Sequence, residues 1–292
     1  MKAALRFARR LLVVTLAGLG ANDPIVVGAD AEVLFVATPL TKEGAFTEGI
    51  EGPACDAQGN IYAVNFARQQ TIGRVTPDGE TTPQGIMFVA DYVGHNILRI
   101  APDTRTITVF AHNDEMNQPN DLAIAPDGTL YASDPNWKDG TGQVWRIAKD
   151  GRINRVAEKM GTTNGIEVSP DGQTLYVNES VQRNVWAFTI ATDGSLTKKR
   201  LLKKFEDYGF DGMRCDIDGN LYITRHGKGT VVKLSAKAEV LREIDVLGPM
   251  PSNICFGGPA GRTAYVTEVK HRRLVQFRVD RPGLEWQCWQ TK

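Results

Sequence analysis

One phrase of apolar and polar positions recurs along this chain: a polar residue, an apolar strand, a glycine turn, then a strand centred on an aromatic. It reads GPACDAQGNIYAV, NDLAIAPDGTLYAS, NGIEVSPDGQTLYVN, DGMRCDIDGNLYIT and NICFGGPAGRTAYVT. The turn glycines are Gly59, Gly128, Gly172, Gly219 and Gly261, and a tyrosine follows each within three or four residues: Tyr62, Tyr131, Tyr176, Tyr222 and Tyr265. Five of the seven tyrosines thus share one slot, and in a sixth copy, GIMFVADY, Phe88 takes it. Apolar alternation about Asp-Gly turns is a hairpin signal. A second hairpin series interleaves with the first: GRVTPDGETT, LRIAPDTRTI, WRIAKDGRIN and AFTIATDGSLTKK, with VKLSAKAEVL as a looser member. Two hairpins per period of about 44 residues make four strands, the unit of a β-propeller blade. Six copies predict an all-β, six-bladed propeller of four-stranded blades. A lone strand from Ala31 to Thr38 would complete the last blade and remove its open edge.

The second blade, about residues 80–110, is short. Both hairpin series place a shortfall of about 18 residues, against the period, between Glu80 and Gly85. The outer strand of blade one and the innermost strand of blade two would fall there. Two readings stay open: an irregular short blade, or a lesion or gene-model error that removes one wall of the central pocket.

Before the repeats the pattern changes. Lys2, Arg6, Arg9 and Arg10 precede the apolar run Leu11 to Leu19, with cleavable small residues at Ala21 or Ala29. This reads as a secretory signal peptide over residues 1–29. The run falls short of the ~20 residues that span a bilayer, and no later stretch could span one. Residues 30–292 are expected to form a single propeller domain of an exported bacterial protein, periplasmic or secreted. Arg9-Arg10 leaves both general and twin-arginine export open.

Composition narrows the chemistry. With 34 Lys+Arg against 34 Asp+Glu the chain carries no nucleic-acid footprint, and 42% hydrophobic residues exclude a disordered chain. Cys55 and Cys215 share one phase on inner strands and Cys255 lies on a third, positions that suit small buried thiols. No obligatory disulfide is expected, and Cys288 is the one plausible exposed cysteine.

Counting back eight residues from each turn glycine gives Glu51, Asn120, Asn164, Asp211 and Asn253. All five bear a side-chain oxygen, and each would sit where the chain enters the innermost strand, at one mouth of the central channel. Singly, Asn and Asp before a strand are ordinary turn residues. Five in one phase point to a metal or ligand site. Carboxylates with amide carbonyls suit a hard cation such as Ca²⁺. A soft metal would call for Cys or His in that phase, and there is none.

Several of these phrases are similar to the senescence-marker-protein (SMP-30)/gluconolactonase/LRE-like family of six-bladed propellers. They are Glu51-Gly52-Pro53, Pro119-Asn120-Asp121, Asn164-Gly165-Ile166 with Ser169-Pro170-Asp171-Gly172, Asp211-Gly212-Met213, and Cys255-Phe256-Gly257-Gly258 with Ala264-Tyr265-Val266-Thr267. The resemblance covers about residues 40–280. It implies one divalent metal, Ca²⁺ or Zn²⁺, on Glu51, Asn120, Asn164 and Asp211, and hydrolysis of a sugar lactone or related ester. The metal would act as Lewis acid, with Asp211 as the catalytic base or water activator. Animal members carry a substrate-contacting Arg where this chain has Gln118. Asp134 and Trp137, after the second strand of blade three, and His226, at a similar place in blade five, are further substrate-binding candidates, together with Asn253. Two alternatives stand beside the lactonase. One is a non-enzymatic NHL-type scaffold, which FVADYVGHNILRI resembles; the other is a metal- and sugar-binding propeller that has lost turnover through its short blade.

Overall fold

The computed structural model describes residues 32–290, apart from Ala57, Phe66, 68–71, 76–85 and 102–103. The expected leader over residues 1–29 and the shortfall between Glu80 and Gly85 lie outside the described residues. The unit from Val33 onward consists of six antiparallel sheets, the blades of a β-propeller.

Blades three, four and five each have four strands in chain order. They are β8 to β11 (Leu122–Ile124, Leu130–Asn136, Thr141–Ile147, Ile153–Met160), β12 to β15 (Thr163–Val168, Thr174–Glu179, Asn184–Ile190, Leu196–Lys204) and β16 to β19 (Met213–Cys215, Leu221–Arg225, Thr230–Leu234, Val240–Asp245). Blade six joins β20 (Pro251–Gly257), β21 (Thr263–Glu268) and β22 (Arg273–Arg278) to β1 (Thr38–Pro39). The closing strand is therefore shorter than the expected Ala31–Thr38. Only Thr38 and Pro39 pair in register with Gln276 and Val275, while Phe35 and Leu40 add single N–H bonds to Arg278 and Leu274.

Among the described residues blade one has β2 to β4 (Ile50–Cys55, Ile61–Asn65, Ile72–Val75) and blade two has β5 to β7 (Met87–Asp91, Asn96–Ala101, Thr106–His112). Phe88 lies on β5, the first described strand of its sheet, whereas every tyrosine of the slot lies on the second strand of its blade. The two three-stranded sheets thus flank residues 76–85, where the period is short.

Local chemistry explains the hairpins. Gly59, Gly128, Gly172 and Gly219 adopt φ of 85°, 86°, 70° and 79°, a region closed to most side chains. An aspartate three positions earlier or one position earlier caps each turn, as when Asp56 Oδ1 accepts from the N–H of Gln58 and Asn60 and Asp171 Oδ1 from that of Gln173. Tyr131, Tyr176, Tyr222 and Tyr265 are buried. Tyr222 meets Phe256 edge to face at 5.1 Å, which joins blades five and six and contributes about 0.5–1.5 kcal/mol beyond area burial.

One element has no counterpart in the repeat. Helix α1 (Leu284–Gln290) follows blade six and packs on β20. Cys288 falls within it, its side chain outside the described set; Cys55, Cys215 and Cys255 are buried free thiols.

Candidate active site

The propeller brings Glu51 on β2, Asn120 just before β8, Asn164 on β12 and Asp211 just before β16 to the wall of one cavity of about 560 Å³. The repeat does this because residues of equal phase in successive blades face the channel at equal depth. In blades one, three, four and five the inner-strand partner of the tyrosine (Ala54, Ala123, Glu167, Arg214) stands three residues after the ring position and five before the turn glycine.

Blade six departs from this. There the tyrosine's partner is Cys255, six residues before Gly261, because the turn Pro259–Gly261 holds one extra residue. The register equivalent of the ring position is consequently Ser252, and Asn253 is displaced by one residue onto the other face. Asn253 does not line the cavity: its Oδ1 accepts from Ile254 N–H at 2.8 Å, and its side chain occupies the space above Gly212. Ser252 is fully buried, its Oγ donating to Ile50 C=O at 2.8 Å. The ring therefore has four cavity-lining members.

Asn164 and Asp211 are held from behind. Asn164 Nδ2 donates to Ser180 Oγ at 3.0 Å, and that hydroxyl donates to Phe210 C=O at 2.6 Å. This relay fixes the amide so that Asn164 Oδ1, buried, has no partner. Asp211 C=O accepts from Asn178 Nδ2 at 2.7 Å and from Gly165 N–H at 3.2 Å. The segment before Asp211 is pinned by Arg225, 1% exposed, whose Nη2 reaches Asp207 at 2.6 Å and whose guanidinium lies over Phe205 at 4.4 Å.

Burial pushes the Asp211 carboxyl well above its usual range, and the neighbouring Glu51 adds to this while the Asn164 amide opposes it. Glu51 is raised for the same reason, against the Gly52 N–H that favours its charge and with Asp121 adding repulsion. Two carboxylates and an orphaned amide oxygen converge on this cavity. Among the described residues no three His, Cys, Asp or Glu side chains form a ligand cluster, so a metal here would depend on amide oxygens as well. That donor set fits a hard divalent ion.

The other sequence candidates separate. Trp137, 38% exposed, and His226 line the cavity. Burial lowers the His226 imidazole below its ordinary value, so it is neutral at neutral pH. Asp134 and Gln118 do not line the cavity. Asp134 is fully buried and accepts from the N–H of Asn117 and Gln118 at 2.9 and 2.6 Å, Gln143 Nε2 at 2.7 Å and Trp145 Nε1 at 2.8 Å. It shapes the loop that delivers Asn120 rather than contacting a ligand. Gln118 Oε1 accepts from Trp137 N–H at 3.3 Å.

Arg183 and Tyr208 also line the cavity, and nothing in the repeat marked them. Both sit on connecting segments with positive φ (60° and 42°), conformations that sequence pattern does not reveal for a non-glycine residue.

Beyond the ring lies a second charged group. Arg214 on β16 makes a bidentate pair with Asp121 at 3.0 and 3.1 Å and meets Glu285 of α1 at 2.7 Å. Glu167 of β12, 5% exposed, faces the same cation. Burial raises its carboxyl to about 8 even though Arg214 pulls the other way.

Comparison with known proteins agrees with this architecture. The pattern of the family described as the SMP-30/Gluconolactonase/LRE-like region matches residues 81–270. A gluconolactonase of Zymomonas mobilis is 25% identical over 288 residues, 80% of either chain. A 6-deoxy-6-sulfogluconolactonase of Pseudomonas putida is 27% identical over 56% of this chain and 58% of its own. A regucalcin of Agrobacterium tumefaciens, described as a calcium-binding protein, superposes with a TM-score of 0.70 at 19% identity. It covers 84% of this chain and 94% of its own, a likeness of fold alone.

Proposed function

We propose that this chain, which belongs to the SMP-30/gluconolactonase/LRE-like family, is a lactonase: a hydrolase that opens the ring of a sugar lactone at the cavity bounded by Glu51, Asn120, Asn164 and Asp211. The observation that carries the reading is the convergence of two half-buried carboxylates and the unpartnered Asn164 Oδ1 on one open cavity. The gluconolactonase and sulfogluconolactonase relatives support the substrate class. The basic and apolar leader supports export of the chain.

Those residues would hold a divalent cation, Ca²⁺ on the chemistry of the oxygen donors. When bound it would supply Lewis acidity to the lactone carbonyl. The chain's own groups do the rest. Asp211 orients a water and takes its proton as the water oxygen bonds to the carbonyl carbon. The ring C–O bond then breaks, and the ring oxygen leaves as a hydroxyl after accepting that proton from Asp211. Trp137 offers an apolar face for the sugar at the cavity wall. Neutral His226 supplies hydrogen bonding without charge.

The test is lactone hydrolysis by the purified chain, followed by acid release from glucono-1,5-lactone before and after chelation. Turnover should vanish on chelation, return with Ca²⁺, and fall at least ~100-fold in Asp211→Ala. Turnover indifferent to chelator would overturn the metal, and a metal-loaded chain that cleaves no lactone would overturn the lactonase.

A further inference from the structure

Charge on the cavity wall is unevenly placed. Of the lining residues, Glu51 and Asp211 belong to the ring, His226 is neutral, and Arg183 is the one permanent cation among the described residues. Its position is fixed by backbone rather than by a carboxylate. Arg183 follows the turn after β13 with φ of 60°; its N–H donates to Glu179 C=O at 2.9 Å and its C=O accepts from Phe205 N–H at 3.0 Å. Its side chain spends Nη1 on Glu206 C=O at 2.8 Å. Nε is buried without a partner, and among the described residues no carboxylate lies within ion-pair distance of the guanidinium.

The remaining donors define what this residue can recognise. Nη2 is neither buried nor hydrogen-bonded among the described residues, so its N–H groups are the ones a ligand in the cavity can reach. A neutral hydroxyl meets the hydrogen bond but not the charge. A carboxylate, phosphate or sulfonate meets both. A cation with no internal counter-ion at a substrate cavity is also a stronger selector than a neutral donor, since leaving it unpaired beneath a bound neutral ligand costs its hydration.

Resting on the lactonase reading, we propose that Arg183 is a specificity-determining residue and that the preferred substrate is an acidic sugar lactone, carrying an anionic group on the end remote from the lactone carbonyl. The anion docks on Nη2 while the carbonyl lies at the ring, and Tyr208 and Trp137 flank the sugar between them.

The experiment compares kcat/KM for neutral glucono-1,5-lactone with that for two anionic lactones, glucaro-1,4-lactone for a carboxylate and 6-phosphoglucono-1,5-lactone for a phosphate. At least one anionic lactone should be preferred over the neutral one by ~10-fold or more, and which of the two wins identifies the anion. In Arg183→Gln the ratio should collapse toward one; Arg183→Lys, which keeps charge without the fork, should retain part of it. Thermal unfolding of both variants checks that they fold. A wild-type preference for the neutral lactone, or a ratio unchanged in Arg183→Gln, would overturn the proposal. Calorimetric binding of the open-chain glucarate and gluconate separates it from the lactonase reading. If no lactone is cleaved, glucarate binding ~10-fold tighter than gluconate and lost in Arg183→Gln still supports the anion site, and equal binding of the two overturns it.

Discussion

Glu167 offers a quantitative test of the charge cluster in the channel. Its carboxyl is 5% exposed and accepts Val168 N–H at 2.8 Å. Burial holds it at about 8 against an ordinary value of 4.5, with Glu285 and Asp121 adding repulsion and Arg214 opposing. The folded chain therefore keeps a proton that the unfolded chain releases. Where the folded state binds more protons, stability falls as pH rises, by up to about 1.4 kcal/mol per pH unit. The contribution is fully present below the unfolded value and is lost as pH climbs from 4.5 toward about 8. Across that window the loss is on the order of 5 kcal/mol, shared with the groups that titrate alongside it. Gln is the neutral isostere of the protonated side chain. Glu167→Gln should match wild type to within ~1 kcal/mol near pH 5 and exceed it by several kcal/mol near pH 8.5. Urea unfolding at a series of pH values reads this directly. Parallel wild-type and variant curves across the window would refute the reasoning, because they would mean that Glu167 carries no retained proton.

Three further outcomes follow from the same structure. Asp134→Ala strands four N–H donors and should cost about 3–5 kcal/mol in denaturant unfolding, with Asp134→Asn recovering part; a loss under ~1 kcal/mol would contradict the anchoring role. Gly165→Ala places a Cβ 2.5 Å from Asp211 O and Asn178 Nδ2, so it should destabilise by about 1–3 kcal/mol and lower lactone kcat/KM more than ~10-fold; unaltered kinetics would show that the Asp211 backbone can yield. Trp137→Ala, at a partly exposed wall position, should raise KM several-fold with kcat kept and stability within about 0.5 kcal/mol, measured by steady-state kinetics and thermal unfolding.

Most of the architecture is legible along the chain because a propeller repeats. One glycine turn and one tyrosine slot per blade set the strands, and a constant offset from them picks out Glu51, Asn120, Asn164 and Asp211, since equal phase means equal depth in the channel. The same offset fails at Asn253. One extra residue in the blade-six turn shifts the count onto a side chain that packs over Gly212, and only strand pairing reveals it. Asp134 has the composition of a site residue, yet its burial against Trp145 and two backbone N–H groups makes it an anchor.

What repeats could be counted; what is assembled across the repeat could not. Arg214 meets Asp121 from 93 residues away and Glu285 from 71, through a helix that belongs to no blade. Arg183 and Tyr208 reach the cavity from turns whose positive φ no spacing announces. The periodic sequence determined the blades and the depth of the oxygen ring. The tertiary structure decided which charges face one another, because that depends on loop conformation and on contacts between residues with no common phase.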